Sequence, residues 1–286
     1  MNRLLVFGLG YSGTAIAREA AAAGFAVSGT TRAGSGQAGS GGSIAFQHAE
    51  AVIRSATHLV STVGPDADSD PVLARYAAAI SAAPELRWIG YLSSVVVYGD
   101  RGGGSVDEDT PPAPSQERGR RRVEAEDAWA RFAGSRAVDI FRLAGIYGPG
   151  RSAFDDLRAG RARSMIKPGH VFGRIHRDDI ARAVVAAMLQ DRAAARRVLN
   201  LTDDEPSESA AVVTYAAALL GVPSPPLVAF EDVLPTLSPM ARSFWAENRK
   251  VTSVKTKAAL GISWLYPSYR EGLRAILAEE SGNRLP

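Results

Sequence analysis

The chain has 286 residues, 46% hydrophobic and 22% charged, a formal net charge of +3 and no cysteine. These proportions suit a globular protein of one large domain or two. They exclude disulfides, thiolate catalysis and cysteine metal sites, and no apolar run approaches the ~20 residues that cross a bilayer.

Leu4 to Phe7 reads as a buried parallel strand that runs directly into Gly8-Leu9-Gly10-Tyr11-Ser12-Gly13. An alanine-rich helix is expected from Thr14 to Ala23 and a second strand from Phe25 to Thr31. In that setting Gly-x-Gly-x-x-Gly is a dinucleotide loop. Gly8 permits the tight turn, Gly10 lets backbone approach a pyrophosphate, and Gly13 lets helix pack on strand; the helix N-terminus offers N–H groups to the anion, and Tyr11 and Ser12 of the loop are expected to join the cofactor site. The second strand ends in Thr31-Arg32, where NAD sites carry an Asp or Glu for the ribose 2′-hydroxyl. A hydroxyl and a guanidinium suit a 2′-phosphate, so the expected cofactor is NADP rather than NAD; a solvated arginine at a strand end is the alternative. The chain enters this strand without the order of a signal peptide, so a cytoplasmic protein is expected.

Ala33 to Ser43, almost entirely Gly, Ala and Ser, reads as a flexible loop. Ile44 to Phe46 and Glu50 to Ser55 form a shortened strand–helix unit. His58 to Ser61 is the next strand, and Ser61-Thr62-Val63-Gly64-Pro65 leaves it as a small-residue loop able to pass beside the cofactor's ribose, or as a plain turn. Pro71 to Ala83 is helical with Leu73, Tyr76, Ala77 and Ile80 on one face. Trp88 to Leu92 is a strand that delivers Ser93-Ser94-Val95-Val96-Val97-Tyr98-Gly99. A helix from Arg118 to Phe132 uses Val123, Ala125, Trp129 and Phe132 as apolar positions, and Val138 to Arg142 is a strand. Ser152 to Gly160 is a short helix in a region made basic by Arg151, Arg158, Arg161 and Arg163, which suits an acidic substrate or simply solvent. Asp178 or Asp179 is expected to cap the helix from Ile180 to Leu189. Pro206 to Leu220 is a further helix; those around Met240 to Asn248, Lys255 to Leu260 and Ser268 to Glu280 form a smaller lid. The four histidines lack metal-ligand spacing, and the dispersed charge with no aromatic–basic interleaving argues against nucleic acid.

Several of these segments, in this order, resemble the extended short-chain dehydrogenase/reductase group, which includes nucleotide-sugar epimerases and dehydratases. They are the glycine loop, Ser93-Ser94-x-x-Val97-Tyr98-Gly99, Phe141-Arg142-Leu143-Ala144-Gly145-Ile146-Tyr147-Gly148-Pro149-Gly150, Arg174 to Ala181, Val198 to Thr202 and Tyr266 to Leu273. The resemblance makes Ser94 the active-site hydroxyl. It also expects Tyr-x-x-x-Lys opening the next helix, where Tyr moves the substrate proton and Lys binds the nicotinamide ribose and lowers the Tyr pKa. Here Arg118 stands at the Tyr position and Arg122 at the Lys position, and the first lysine of the chain is Lys167. Arg122 can still bind ribose hydroxyls. Arg118 cannot act as an ordinary proton donor, because guanidinium does not deprotonate in proteins.

Three readings compete. Arg118 binds an anionic substrate group while Ser94, Tyr98 or Tyr147 transfers the proton; or the protein binds NADP as a non-catalytic sensor or scaffold; or Arg118 to Arg122 are a solvated helix start, muted by Asp107-Glu108-Asp109. The expected architecture is α/β: a Rossmann-type doubly wound parallel sheet with a smaller, mainly helical C-terminal lid. Residues 1–150, completed by 174–203, form the NADP-binding domain, and 151–173 with 204–286 form the lid. The expected partner is a small-molecule substrate. The resemblance also implies a homodimer through helices starting near Pro71 and Arg118, although burial within one subunit would explain the alanine-rich Leu73 to Ala83 equally well.

Overall fold

Apolar runs buried on both faces define the centre of the molecule: Leu4, Leu5, Val6 and Phe7 are at most 1% exposed. This is the signature of a parallel sheet between two helix layers. The computed structural model describes residues 2–33 and 42–282, so most of the glycine-rich Ala33–Ser43 stretch lies outside the described residues. The chain runs β1 (Arg3–Phe7), α1 (Tyr11–Ala22), β2 (Ala26–Thr31), β3 (Ser43–Ala45), α2 (Glu50–Ser55), β4 (His58–Ser61), α3 (Pro71–Ala82) and β5 (Trp88–Ser94). After β6 (Ser105–Val106) come α4 (Glu117–Ala130), β7 (Ala137–Leu143), β8 (Gly145–Tyr147), α5 (Ala153–Arg158), β9 (Ser164–Ile166), β10 (Arg174–His176), α6 (Arg177–Leu189) and β11 (Ala195–Leu201). The last elements are α7 (Ser209–Leu220), β12 (Leu227–Ala229), α8 (Phe230–Val233), α9 (Pro239–Trp245), β13 (Lys250–Val251), α10 (Val254–Leu260) and α11 (Tyr269–Glu280).

Seven strands form one parallel sheet in the order β11-β7-β5-β4-β1-β2-β3. This is the doubly wound Rossmann-type architecture, with its switch point beside β1. The strand period of two divides the core. Leu4 and Val6 pack under α1 and α6 with Ile16, Ala20, Ile180 and Val184, whereas Leu5 and Phe7 face α2, α3 and α4 with Ile53, Tyr76, Ile80 and Trp129. A separate cluster of Tyr147, Phe154, Val212, Ala216, Tyr269 and Leu273 joins α5, α7 and α11. Among the described residues no helix is long and apolar enough to cross a membrane.

Several boundaries and contacts differ from expectation. Helix α1 starts at Tyr11, three residues early, because Gly10 already serves as its N-cap. Helix α3 buries Val72, Tyr76 and Ile80, leaving Leu73 and Ala77 half-buried. Asp70 fixes that rotation by capping Val72 N and Leu73 N (2.9 and 3.0 Å) while accepting from Trp129 Nε1 of α4 (2.9 Å). Helix α4 starts at Glu117 and α7 at Ser209. Neither Asp178 nor Asp179 caps α6. β10 runs straight into the helix, so His176 becomes the N-cap and its Nδ1 accepts from Asp178 N (3.2 Å). Asp178 instead pairs with Arg18 and Arg177 (both 3.1 Å), and buried Asp179 accepts from Leu265 N and Tyr266 N (2.8 and 3.0 Å). Asp107, Glu108 and Asp109 do not mute the α4 arginines. Lys255 takes Asp107 and Asp109, Thr256 takes Glu108, and Arg120 and Arg121 pair with Glu117.

Candidate functional site

The glycine loop turns between β1 and α1 with Gly8 at φ +90°, a backbone state that favours glycine. Gly8 N donates to Thr30 Oγ1 (3.0 Å), and Thr62 Oγ1 donates to Gly8 O (2.7 Å), so Thr62 holds the loop itself. A Cβ on Gly13 would lie 2.0 Å from Gly8 O, whereas a Cβ on Gly10 would meet nothing within 4 Å. Helix α1 has no capping side chain. Uncapped N–H groups beside open space fit a pyrophosphate. Ser12 is buried in the first turn, and Tyr11 reaches across to donate to Pro149 O (3.1 Å), with Arg151 and Arg177 over its ring. At the end of β2, Thr31 Oγ1 is buried without a partner among the described residues, and Arg32 is exposed. Ser61 is wholly buried within β4. The residues present therefore fit a dinucleotide.

Arg122 stands on the opposite wall. Its Nη1 donates to Tyr91 Oη and Leu92 O (both 3.0 Å), and its other end lies so close to Gly64 that a Cβ there would strike Nη2 at 2.5 Å. One helical turn earlier, Arg118 lines a cavity of about 370 Å³ with Ser94 and Tyr147, the last residues of β5 and β8. Ser94 Oγ accepts from Val96 N (3.3 Å). The other two hydroxyls are occupied: Tyr147 Oη donates to Ser268 O (3.3 Å) and Tyr98 Oη to Asn200 Oδ1 (2.7 Å), with burial pushing both pKa values up. Ser94, Arg118 and Tyr147 are thus brought together, while Tyr98 lies in the core behind them.

The same cavity takes Phe172, Arg174, Phe244, Trp245, Glu247 and Arg249, none of which the sequence reading singled out as site residues. Segment 115–118 is tied to this region by Gln116 Nε2 to Ser243 O (2.9 Å) and Ser115 Oγ to Glu247 Oε1 (2.5 Å). These pairings span more than 120 residues and left no local pattern. Glu126 left no local signal either, because its partners Arg142 and Ser93 lie on other elements.

Burial pushes the imidazoles of His58 and His176 down to about 4. For His176 the cap bond requires an unprotonated Nδ1. These folded values lie below the unfolded ~6.5, so the unfolded chain binds more protons between the two. Stability is accordingly expected to hold above about pH 6.5 and to fall as pH drops toward 4. Buried Asp203, raised to about 8, acts in the opposite sense: its contribution is present at low pH and lost as pH rises through 8. Urea-unfolding midpoints from pH 4.5 to 9 would show a maximum between these limbs. His176→Asn, which keeps a capping acceptor, should flatten the acid limb, and an unchanged acid limb would refute the assignment.

No protein-family model matches the chain. Over 170 residues it is 33% identical to Protein YeeZ of Escherichia coli K12, a match covering 53% of this chain and 61% of YeeZ. Among solved structures, a conserved protein of unknown function from Silicibacter pomeroyi superposes with TM-score 0.88 at 41% identity, covering 98% of this chain and 99% of that one. A putative NAD-dependent epimerase/dehydratase from Methylobacillus flagellatus follows with TM-score 0.75 at 25% identity, covering 98% and 99%. The chain belongs to the extended short-chain dehydrogenase/reductase superfamily. The fold extends to the human epimerase family protein SDR39U1, solved with NADPH (TM-score 0.78, 22% identity, 96% and 98% covered). No lysine precedes Lys167 in this chain, so no Tyr-x-x-x-Lys sequence occurs before it.

Proposed function

We propose that the protein is an NADP-dependent oxidoreductase, epimerase/dehydratase-like in reaction class, acting on a small polar substrate with an anionic group. The observation that carries this reading is the placement of Arg118 and Arg122 on one face of α4. Arg122 reaches the wall beside Gly64, and Arg118 faces the cavity that Ser94 lines. In this reading Gly8, Gly10, Tyr11, Ser12 and Gly13 seat the pyrophosphate, and Arg122 binds ribose hydroxyls as a cation. Arg118 binds negative charge, because it cannot surrender a proton. Ser94 accepts a backbone N–H, which leaves its own proton to donate to a substrate oxygen. The chemistry a nicotinamide supplies here is hydride transfer. Residues 1–150 with 174–203 hold the dinucleotide, and the remainder closes over the substrate.

Calorimetric titration tests the cofactor. NADPH is expected to bind more tightly than NADH, and Arg32→Ala to weaken NADPH by roughly 1.5–3 kcal/mol, as for a charge-assisted hydrogen bond, with NADH unaffected. Binding of neither dinucleotide would overturn the proposal. A non-catalytic NADP sensor is the second reading. It is favoured by the contacts of Arg118 with α9, where the guanidinium lies 4.4 Å from the Phe244 ring centroid and 3.4 Å from Ser243 O. Loss of nicotinamide absorbance with a panel of carbonyl compounds separates the two readings.

A further inference from the structure

We infer that the cavity is a carboxylate clamp in which Arg118 of α4 and Arg249, just before β13, grip one carboxylate group of the ligand. This rests on the site proposed above and adds its second cation, its internal counter-charge and the class of anion.

The two guanidinium groups come from elements more than 120 residues apart and line the same space. Neither is fully engaged by protein. Arg118 makes only long contacts, Nη1 to Met240 Sδ (3.8 Å) and Nη2 to Ser243 O (3.4 Å), and its face lies over Phe244. Arg249 uses Nη1 for Gly99 O and Glu247 Oε2 (both 2.8 Å). In both residues the Nε–H is buried and has no hydrogen-bond partner among the described residues. Such a donor on a charged group is destabilising until an acceptor reaches it. In the clamp each guanidinium offers the ligand its Nε–Nη edge, the edge that takes a carboxylate through two parallel bonds. The pair also sense each other. Burial pushes the Arg118 pKa down, Glu247 opposes this and Arg249 adds to it.

The charge count is positive. Among the described lining residues, Arg118, Arg174 and Arg249 face one carboxylate, Glu247. Arg174 is engaged with backbone, its Nη1 donating to Phe172 O and Ser207 O (3.0 and 3.2 Å). Glu247 is 5% exposed and already accepts from Ser115 and Arg249. The walls between the arginines are Phe172, Phe244 and Trp245. Ion desolvation grows with the square of charge, so this aromatic-walled space favours a singly charged carboxylate over a doubly charged phosphate. The aromatic walls also favour a flat carbon skeleton.

The test uses full-length protein with NADPH added, and benzoate, benzamide and inorganic phosphate as calorimetric probes. Benzoate is expected to bind, and its neutral isostere benzamide about tenfold more weakly or worse, with phosphate the weaker anion. Arg118→Gln and Arg249→Gln should each weaken benzoate about tenfold or more, while Arg158→Gln, an arginine paired with Glu280, leaves it unchanged. Arg249→Lys keeps the charge without the fork and should fall between. NADPH affinity is measured in every variant. Retained NADPH binding with no benzoate binding at millimolar concentration overturns the clamp and spares the cofactor reading, whereas loss of NADPH binding in the wild type sinks the latter. Equal binding of benzoate and benzamide, preference for phosphate, or indifference to both substitutions would also overturn the clamp.

Discussion

Gly13→Ala is expected to abolish NADPH binding and to destabilise the fold by about 1–3 kcal/mol or more. The added Cβ would sit 2.0 Å from the carbonyl oxygen of Gly8, and that carbonyl is pinned by Thr62 Oγ1 at 2.7 Å. Neither side can yield cheaply, because Gly8 leads directly out of buried β1 and Gly13 lies in the first turn of α1, whose Ile16 and Ala20 are core residues. Relief requires α1 to move away from the sheet. Gly10→Ala is the informative contrast. Its Cβ meets no atom within 4 Å, so stability should stay within about 1 kcal/mol of wild type, while dinucleotide affinity falls because the methyl group occupies the space proposed for the pyrophosphate. Urea unfolding and calorimetry on both variants check the pair. Wild-type NADPH affinity in Gly13→Ala would refute the placement of the loop.

Glu126→Ala should cost about 3–5 kcal/mol, the range for breaking one side of a buried ion pair. Glu126 is 0% exposed and accepts from Arg142 Nε and Nη2 (3.0 and 2.7 Å) and from Ser93 Oγ (2.7 Å). Arg142 is itself 1% exposed and lies over the Tyr98 ring, so removing the carboxylate leaves a guanidinium with neither water nor counter-charge. The pair connects β7 to α4 beside Ser93 of β5, and Glu126→Gln, which keeps the shape, should lose less stability than the alanine variant. Breaking the exposed Arg54–Glu50 pair should change stability by no more than about 0.5 kcal/mol. Urea unfolding of the three variants gives the comparison, and a Glu126→Ala loss below 1 kcal/mol would contradict the burial argument.

What the sequence determined by itself was the part of the molecule encoded locally. Leu4 to Phe7 is apolar at every position because both faces of a central parallel strand are covered, and glycines at 8, 10 and 13 mark a turn that few other residues could make. The superfamily motifs then placed Ser94, Arg118 and Arg122, which the fold gathers at the carboxyl ends of adjacent strands. Boundaries shifted where side chains from afar decided them. His176 replaced the expected aspartates as cap because β10 runs directly into α6, which leaves both aspartates inside the first turn, where Leu265 and Tyr266 take Asp179. Lys255 drew Asp107 and Asp109 away from α4. Only the tertiary structure could bring Arg249, Glu247 and Trp245 to Arg118. Hydrophobic periodicity and turn chemistry act over a few residues and can be read in order along the chain. The pairing of charges across a cleft depends on where the elements pack, and nothing in the local sequence records it.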